Sequence, residues 1–158
     1  MDFSFFISNQ MINTGVASWC LAQLIKTVID YFKHKKFSKE RLAGSGGMPS
    51  SHAAVTCSVL LTSYYLYGFD SGIFAVTFIL SFITMYDAIG VRWSAGLHAK
   101  AINHIVEHLK KTDQTDPEVK KSLEGLIPTL NESIGHRLIE VICGALLGFV
   151  VSAVFHLI

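Results

Sequence analysis

Four apolar stretches separated by polar sequence dominate the chain. They cover about 11–32, 50–67, 72–91 and 137–158. Each is roughly 18–22 residues long, the length a helix needs to cross a hydrocarbon core of about 30 Å. The third contains GIFAVTFILSFITMY, which has no polar face of the kind a helix in a soluble bundle requires. The pattern predicts one all-α integral membrane domain over residues 1–158, a bundle of four transmembrane helices. Only LYGFDSG separates the second and third stretches, which predicts a tight hairpin.

The polar insertion at 92–135 is patterned differently. In AGLHAKAINHIVEHLKK, Leu97, Ala101, Ile105 and Leu109 form an apolar stripe, with Ile102 and Val106 beside it, while Lys100, Asn103, Glu107 and Lys110 face away. That is the pattern of a helix lying on a membrane surface. TDQTDPEV then breaks it, and Asp116 with Pro117 predicts the N-cap and first turn of another short helix. No internal repeat is visible.

Composition strengthens the membrane reading. Half the residues are apolar, only 16 % are charged, and mean hydropathy is +0.43. The net charge of +1 is uninformative, but its distribution is not. All thirteen Lys and Arg fall in or beside two loops, Lys33 to Arg41 and Arg92 to Arg137, with Lys26 near the first. Under the positive-inside rule both loops, and the amphipathic helix, are cytoplasmic and both termini lie outside, as expected in a bacterial plasma membrane. The segment MDFSFFISNQ has neither a basic n-region nor a small-residue cleavage site, so no signal peptide is expected. Cys20, Cys57 and Cys143 are widely spaced and form no CxxC pair, which points to neither a zinc site nor a disulfide framework.

The polar residues within the apolar stretches carry the candidate chemistry. GGMPSSH (46–52) opens the second stretch. A helix N-terminus there offers free N–H groups and partial positive charge to an anion. Gly46 and Gly47 allow close backbone approach, Ser50 and Ser51 add hydroxyls, and His52 lies in the first turn, able to give up a proton. The third stretch ends in YDAIGVR, with Arg92 suited to bidentate phosphate contacts and Asp87 a turn deeper, needing a partner such as Arg92 or Lys26. His136 and Glu140 are four apart at the start of the fourth, so the carboxylate can orient the imidazole. Gln23, Lys26 and Asp30 share a stripe at the end of the first. Lys26, Ser50, Ser51, His52, Arg92, His136 and Glu140 thus come from four stretches and project to one side of the membrane, a constellation suited to phosphoester chemistry.

HIVEH (104–108) fits a zinc-protease pattern, and His104 and His108 lie one turn apart, but no clear third ligand accompanies them. Solvated face histidines are the plainer reading, and neither a metal nor another cofactor is expected. Gly144, Gly148 and Ser152 form a small-residue row that permits close helix packing.

These motifs resemble the divergent branch of the type-2 phosphatidic acid phosphatase superfamily, which is related to the vanadium-dependent haloperoxidases. PSSH (49–52) is similar to the superfamily's Pro-Ser-Gly-His, with Ser51 in place of glycine. HRLIEVICGALLG (136–148) is similar to the end of its third motif, with Glu140 in place of Asp. Arg92 would correspond to the Arg of that motif and Lys26 to the Lys of the first, although no Arg-Pro comes after it. His98, six residues after Arg92, is a second candidate for the motif histidine; His136 is preferred because the residues C-terminal to it match the motif. The resemblance implies a lipid phosphate phosphatase that hydrolyses a phosphomonoester or pyrophosphate of a lipid. His136 would be the nucleophile and form a phosphohistidine, His52 would protonate the leaving alkoxide, and Glu140 would orient His136. Lys26, Gly47, Ser50, Ser51 and Arg92 would hold the phosphate, with Asp87 in support. The implied partners are membrane lipids and a lipid phosphate such as phosphatidic acid or phosphatidylglycerol phosphate, not nucleic acid. The superfamily core typically has six helices against four here, which leaves a homo-oligomer to complete it. A non-catalytic lipid-phosphate binder or transporter on the same pocket is the alternative.

Overall fold

The computed structural model describes residues 8–35, 47–111, 118, 129, 130, 132 and 134–157. The expected short helix opened by Asp116 and Pro117, Gly46, and most of the first basic loop lie outside them. Its elements are helices: α1 (Gln10–His34), α2 (Ser51–Tyr67), α3 (Gly72–Ile89), α4 (Val91–Lys111) and α5 (Leu138–Leu157). Each apolar stretch is one helix, and the amphipathic stripe is α4.

Local chemistry sets the boundaries. Asn9 caps α1, its side-chain oxygen accepting from the Met11 and Ile12 N–H groups at 3.0 and 3.2 Å. Ser50 caps α2 and Ser71 caps α3. Each such cap stabilises its helix by about 1 kcal/mol. Gly68, at φ +80°, turns the chain out of α2 into the hairpin. Gly90 alone separates α3 from α4, so residues 72–111 form a nearly continuous helical run with one break.

α2 is the central helix. It packs most extensively on α5, then on α1 and α3. What it buries is small and polar: Thr14, Ser18, Cys57, Ser58, Ser63, Ser81 and Ser152 are among the largest fully buried side chains. They are joined across helices. Thr62 Oγ1 bridges Thr14 Oγ1 at 3.0 Å and Ser152 Oγ at 2.8 Å, Ser63 bonds Thr77 at 2.8 Å, and Ser81 donates to the Thr56 carbonyl at 3.0 Å. The small-residue row of α5 lies on α2, where a Cβ on Gly144 would overlap the Ser50 carbonyl oxygen and one on Gly148 the Ala54 carbonyl oxygen.

The exterior is the converse. Val76, Phe82, Ile83, Leu146 and Val150 are each more than half exposed. Greasy outside and small-polar inside is the packing of helices whose solvent is hydrocarbon, where close backbone approach and interhelical hydrogen bonds replace hydrophobic collapse. By length and composition, the run at 72–111 and α5 are long and apolar enough to cross a membrane. α1 and α2 do not meet that test. α2 has 17 residues, and both helices spend positions on the buried Ser, Thr, Gln and Lys groups that join the bundle.

Candidate functional site

The site is assembled at one end of α1, α2, α3 and α5. α1 supplies Lys26, which is 6 % exposed and donates to Ser51 Oγ at 3.1 Å. α2 supplies its first turn. Ser50 is fully buried, and its hydroxyl accepts from the Ala53 N–H at 3.4 Å. The Ser50 N–H donates to the Glu140 carbonyl at 2.9 Å, which ties the start of α2 to the start of α5. His52, half-buried, faces His136 with ring centroids 6.1 Å apart.

His136 arrives on the segment that leads into α5. Its N–H donates to the Ala88 carbonyl at 3.0 Å, so the end of α3 holds this backbone in place. Gly135 makes the approach feasible. It sits at φ +89°, and any Cβ there would collide with the Trp93 backbone. Gly96 is confined in the same way by the Ile134 carbonyl. Farther along, the Asn103 amide bonds the Leu130 N–H and carbonyl at 3.0 and 2.9 Å, and also the Glu132 carboxylate. Asn103, read from the pattern as facing away, faces this return segment and pins it. Periodicity marks Asn103 as polar but cannot reveal what meets it 27 residues on.

The His136 side chain is 2 % exposed. Its Nδ1 lies 3.3 Å from Glu140 Oε2, off the line a hydrogen bond needs, so neither ring nitrogen has a hydrogen-bond partner among the described residues. Glu140 itself accepts from the Arg137 N–H at 3.2 Å, a helix-start cap that fixes its carboxylate beside the imidazole. Burial holds His136 below its ordinary value of 6.5, the Lys26 ammonium pushes it lower, and Glu140 opposes both. The ring is therefore favoured in its neutral, nucleophilic form.

Arg92 and Asp87 form an ion pair with each other at the rim, their side chains 49 % and 36 % exposed. Both lie within electrostatic reach of His52. Gly47, at φ +93°, lines a cleft next to Glu140. The structure therefore gathers Lys26, Ser51, His52, His136 and Glu140, places Arg92 with Asp87 beside them, uses the Ser50 hydroxyl as a cap, and sets Gly47 on the far side of Glu140. His98 is exposed on α4. His104 and His108 are exposed too, and Glu107 between them is engaged by Lys111, which lowers its pKa. Among the described residues no three His, Cys, Asp or Glu side chains gather to hold a metal.

The start of α2, a buried ammonium, two facing imidazoles and a fixed carboxylate thus meet at one end of the bundle. The chain belongs to the Divergent PAP2 family, whose model matches residues 7–151. It is similar to the uncharacterized membrane protein YuiD of Bacillus subtilis (strain 168), with 34 % identity over 149 residues and 94 % of each chain covered. No solved structure matches it.

Proposed function

We propose that this protein is a membrane-embedded lipid phosphate phosphatase that works through a phosphohistidine. The observation that carries the proposal is His136: a buried imidazole with Nδ1 3.3 Å from Glu140 and no hydrogen-bond partner for Nε2 among the described residues, beside a second imidazole and a buried ammonium. Buried polar atoms without partners are rare and call for a ligand or water. A phosphoryl oxygen bound by Lys26, Ser51 and the α2 N-terminus would bring phosphorus to the ring. His136 then attacks, a P–N bond forms as the P–O bond breaks, and His52 transfers its proton to the leaving alkoxide. Water next cleaves the P–N bond and returns a proton to His52. Glu140 holds the ring and offsets the charge it gains. Most of the rate enhancement comes from charge stabilisation of the equatorial oxygens by Lys26, the α2 amides and Arg92 once substrate draws it from Asp87.

In the same reading α1, α2, α3 and α5 all cross the membrane, with both termini outside and the site at the cytoplasmic face. α4 lies on that surface; Leu97, Ile105 and Leu109 are 52, 58 and 40 % exposed along one face. Substrates are inner-leaflet lipid phosphates, and a second copy of the chain completes the helical core.

The test is phosphate release from phosphatidic acid by the purified protein in chelator. His136→Ala should lower the rate at least ~10³-fold, and His52→Ala about 10²–10⁴-fold. Saturable binding without release by the wild type would make the protein a lipid-phosphate binder or transporter instead. Cysteine labelling near Arg92 and in the 67–71 hairpin tests the sidedness: the two must react from opposite faces.

A further inference from the structure

Along one stripe of α1 the residues change character in order. Ile12, Val16, Trp19, Gln23 and Lys26 recur every three or four positions and so share a face. Ile12, Val16 and Trp19 form one wall of a groove of about 570 Å³ between α1 and α2, with Val55 and Val59 on the other. That is within the usual size range for small-ligand sites. Gly15 lines it too, where a Cβ would press on Val59 Cγ2 at 3.2 Å, while Val16 and Trp19 are 55 and 45 % exposed. Lys26, buried and bonded to Ser51, ends the stripe at the histidine site. The same order holds on α2, where Val55 and Val59 stand one and two turns beyond Ser51. Gln23 falls between groove and site, about 4.5 Å along the axis from Lys26 and about 6 Å from Trp19. It is 7 % exposed, and its Oε1 has no hydrogen-bond partner among the described residues. A carboxamide buried in that state calls for a polar partner. The stripe thus runs apolar, amide, ammonium; a glycerolipid phosphate runs chain, ester, phosphate.

We propose that the α1–α2 groove holds an acyl chain of the lipid whose phosphate sits on Lys26 and Ser51, and that Gln23 donates to the ester carbonyl between them. A carboxamide can turn either its oxygen or its NH2 to one point, and the carbonyl takes the NH2. The change of polarity towards Lys26 selects a lipid over a helix of a second copy, whose apolar face would cover the groove and leave the Gln23 amide unsatisfied. The inference rests on the phosphate reading above and adds where the tail lies: the lipid enters sideways from the bilayer, along α1 and α2.

Trp19 fluorescence tests it in the full-length protein carrying Trp93→Phe, reconstituted in nanodiscs with chelator. The probes are phosphatidic acid and phosphatidylserine with brominated chains, the second an anionic phosphodiester. Phosphatidic acid should reach half-maximal quenching at a mole fraction at least ~tenfold lower, the effect of one charge-assisted contact. Val16→Phe, which fills the groove from its rim, and Lys26→Ala should each bring the two lipids within about twofold. Leu24→Phe, at an exposed α1 position outside the groove, should keep the preference. Unlabelled phosphatidic acid should relieve the quenching at least ~threefold better with ester-linked than with ether-linked chains, and equally well in Gln23→Leu. Thermal melts check that each variant is folded. Equal quenching by the two lipids, no quenching by either because a second copy covers the groove, or a preference that survives Val16→Phe would overturn the groove. An ester advantage that survives Gln23→Leu would overturn the Gln23 contact. Phosphate release by the same sample would in each case leave the phosphate reading standing. That reading fails separately, if the wild type binds no inorganic phosphate, and the groove proposal then falls with it.

Discussion

Replacing Gly144 by alanine should damage the bundle and the site together. The new Cβ would overlap the Ser50 carbonyl oxygen, and would lie 3.0 Å from the Ser50 carbonyl carbon and 3.1 Å from Ala53 Cβ. Two of these three obstacles are backbone and the third is a Cβ, so no rotamer change relieves them. α5 must move off α2 by on the order of 1 Å, and overpacking of this kind costs about 1–3 kcal/mol. The same displacement stretches the Ser50 N–H to Glu140 carbonyl bond, a contribution of about 1 kcal/mol. The sum, about 2–4 kcal/mol, is a large part of a small domain's stability. It also draws His136 and Glu140 away from His52, and a misplacement of about 1 Å lowers catalysis by roughly 10²-fold. The assay is a thermal melt in detergent paired with phosphate release. Gly15→Ala and Gly72→Ala calibrate it. The first meets only Val59 Cγ2 at 3.2 Å and Val55 Cγ1 at 3.7 Å, side chains that can yield, and the second meets nothing within 4 Å. Melting points should fall in the order Gly72→Ala, Gly15→Ala, Gly144→Ala. A Gly144→Ala protein as stable and as active as Gly72→Ala would refute the claim that α2–α5 contact sets the site.

Other consequences are as direct. Because His136 is held below 6.5 in the fold, the unfolded chain takes up a proton that the folded one refuses, so stability should fall as pH drops below 6.5 and level off once the folded site is also protonated. Melts in phosphate-free buffer should show this slope in the wild type and a shallower one in His136→Gln; equal slopes would contradict it. Asn103→Leu removes both bonds to the Leu130 backbone and should cost about 1–3 kcal/mol, seen as faster proteolysis within 129–135, and unchanged cleavage would argue against the pinning role. If α4 lies on lipid, brominated lipids should quench Trp93 in a Trp19→Phe background, and Ile105→Glu should weaken that quenching; a parent protein that is not quenched would lift α4 off the membrane.

The helices were legible because their signals are local. Unbroken apolar runs and the polar GGMPSSH and LYGFDSG stretches mark the ends to within a residue or two. The neighbourhood of His52 and His136 was legible for a different reason: charge placement puts the N-terminal ends of the second and fourth apolar stretches, where the two residues stand, on the same side. The inward polarity of α1 and α2 was harder to see. Thr14, Ser18, Thr62 and Ser152 look like dilution of an apolar run until the structure shows Thr14, Thr62 and Ser152 bonded in a chain and Ser18 buried beside them. The return segment was not legible at all. Asn103 with Leu130, Gly135 against Trp93, and the His136 N–H on the Ala88 carbonyl are long-range pairings between residues that carry no periodic signal.

The central claim is that the polar ends of α1, α2 and α5 form one phosphate cradle around His136. Titration of the purified protein with inorganic phosphate, in chelator and at low salt, tests it most directly. Saturable binding is predicted for the wild type, weakened at least ~tenfold in Lys26→Ala and in His136→Ala. A wild type that binds no phosphate, or variants that bind it equally well, would contradict the cradle.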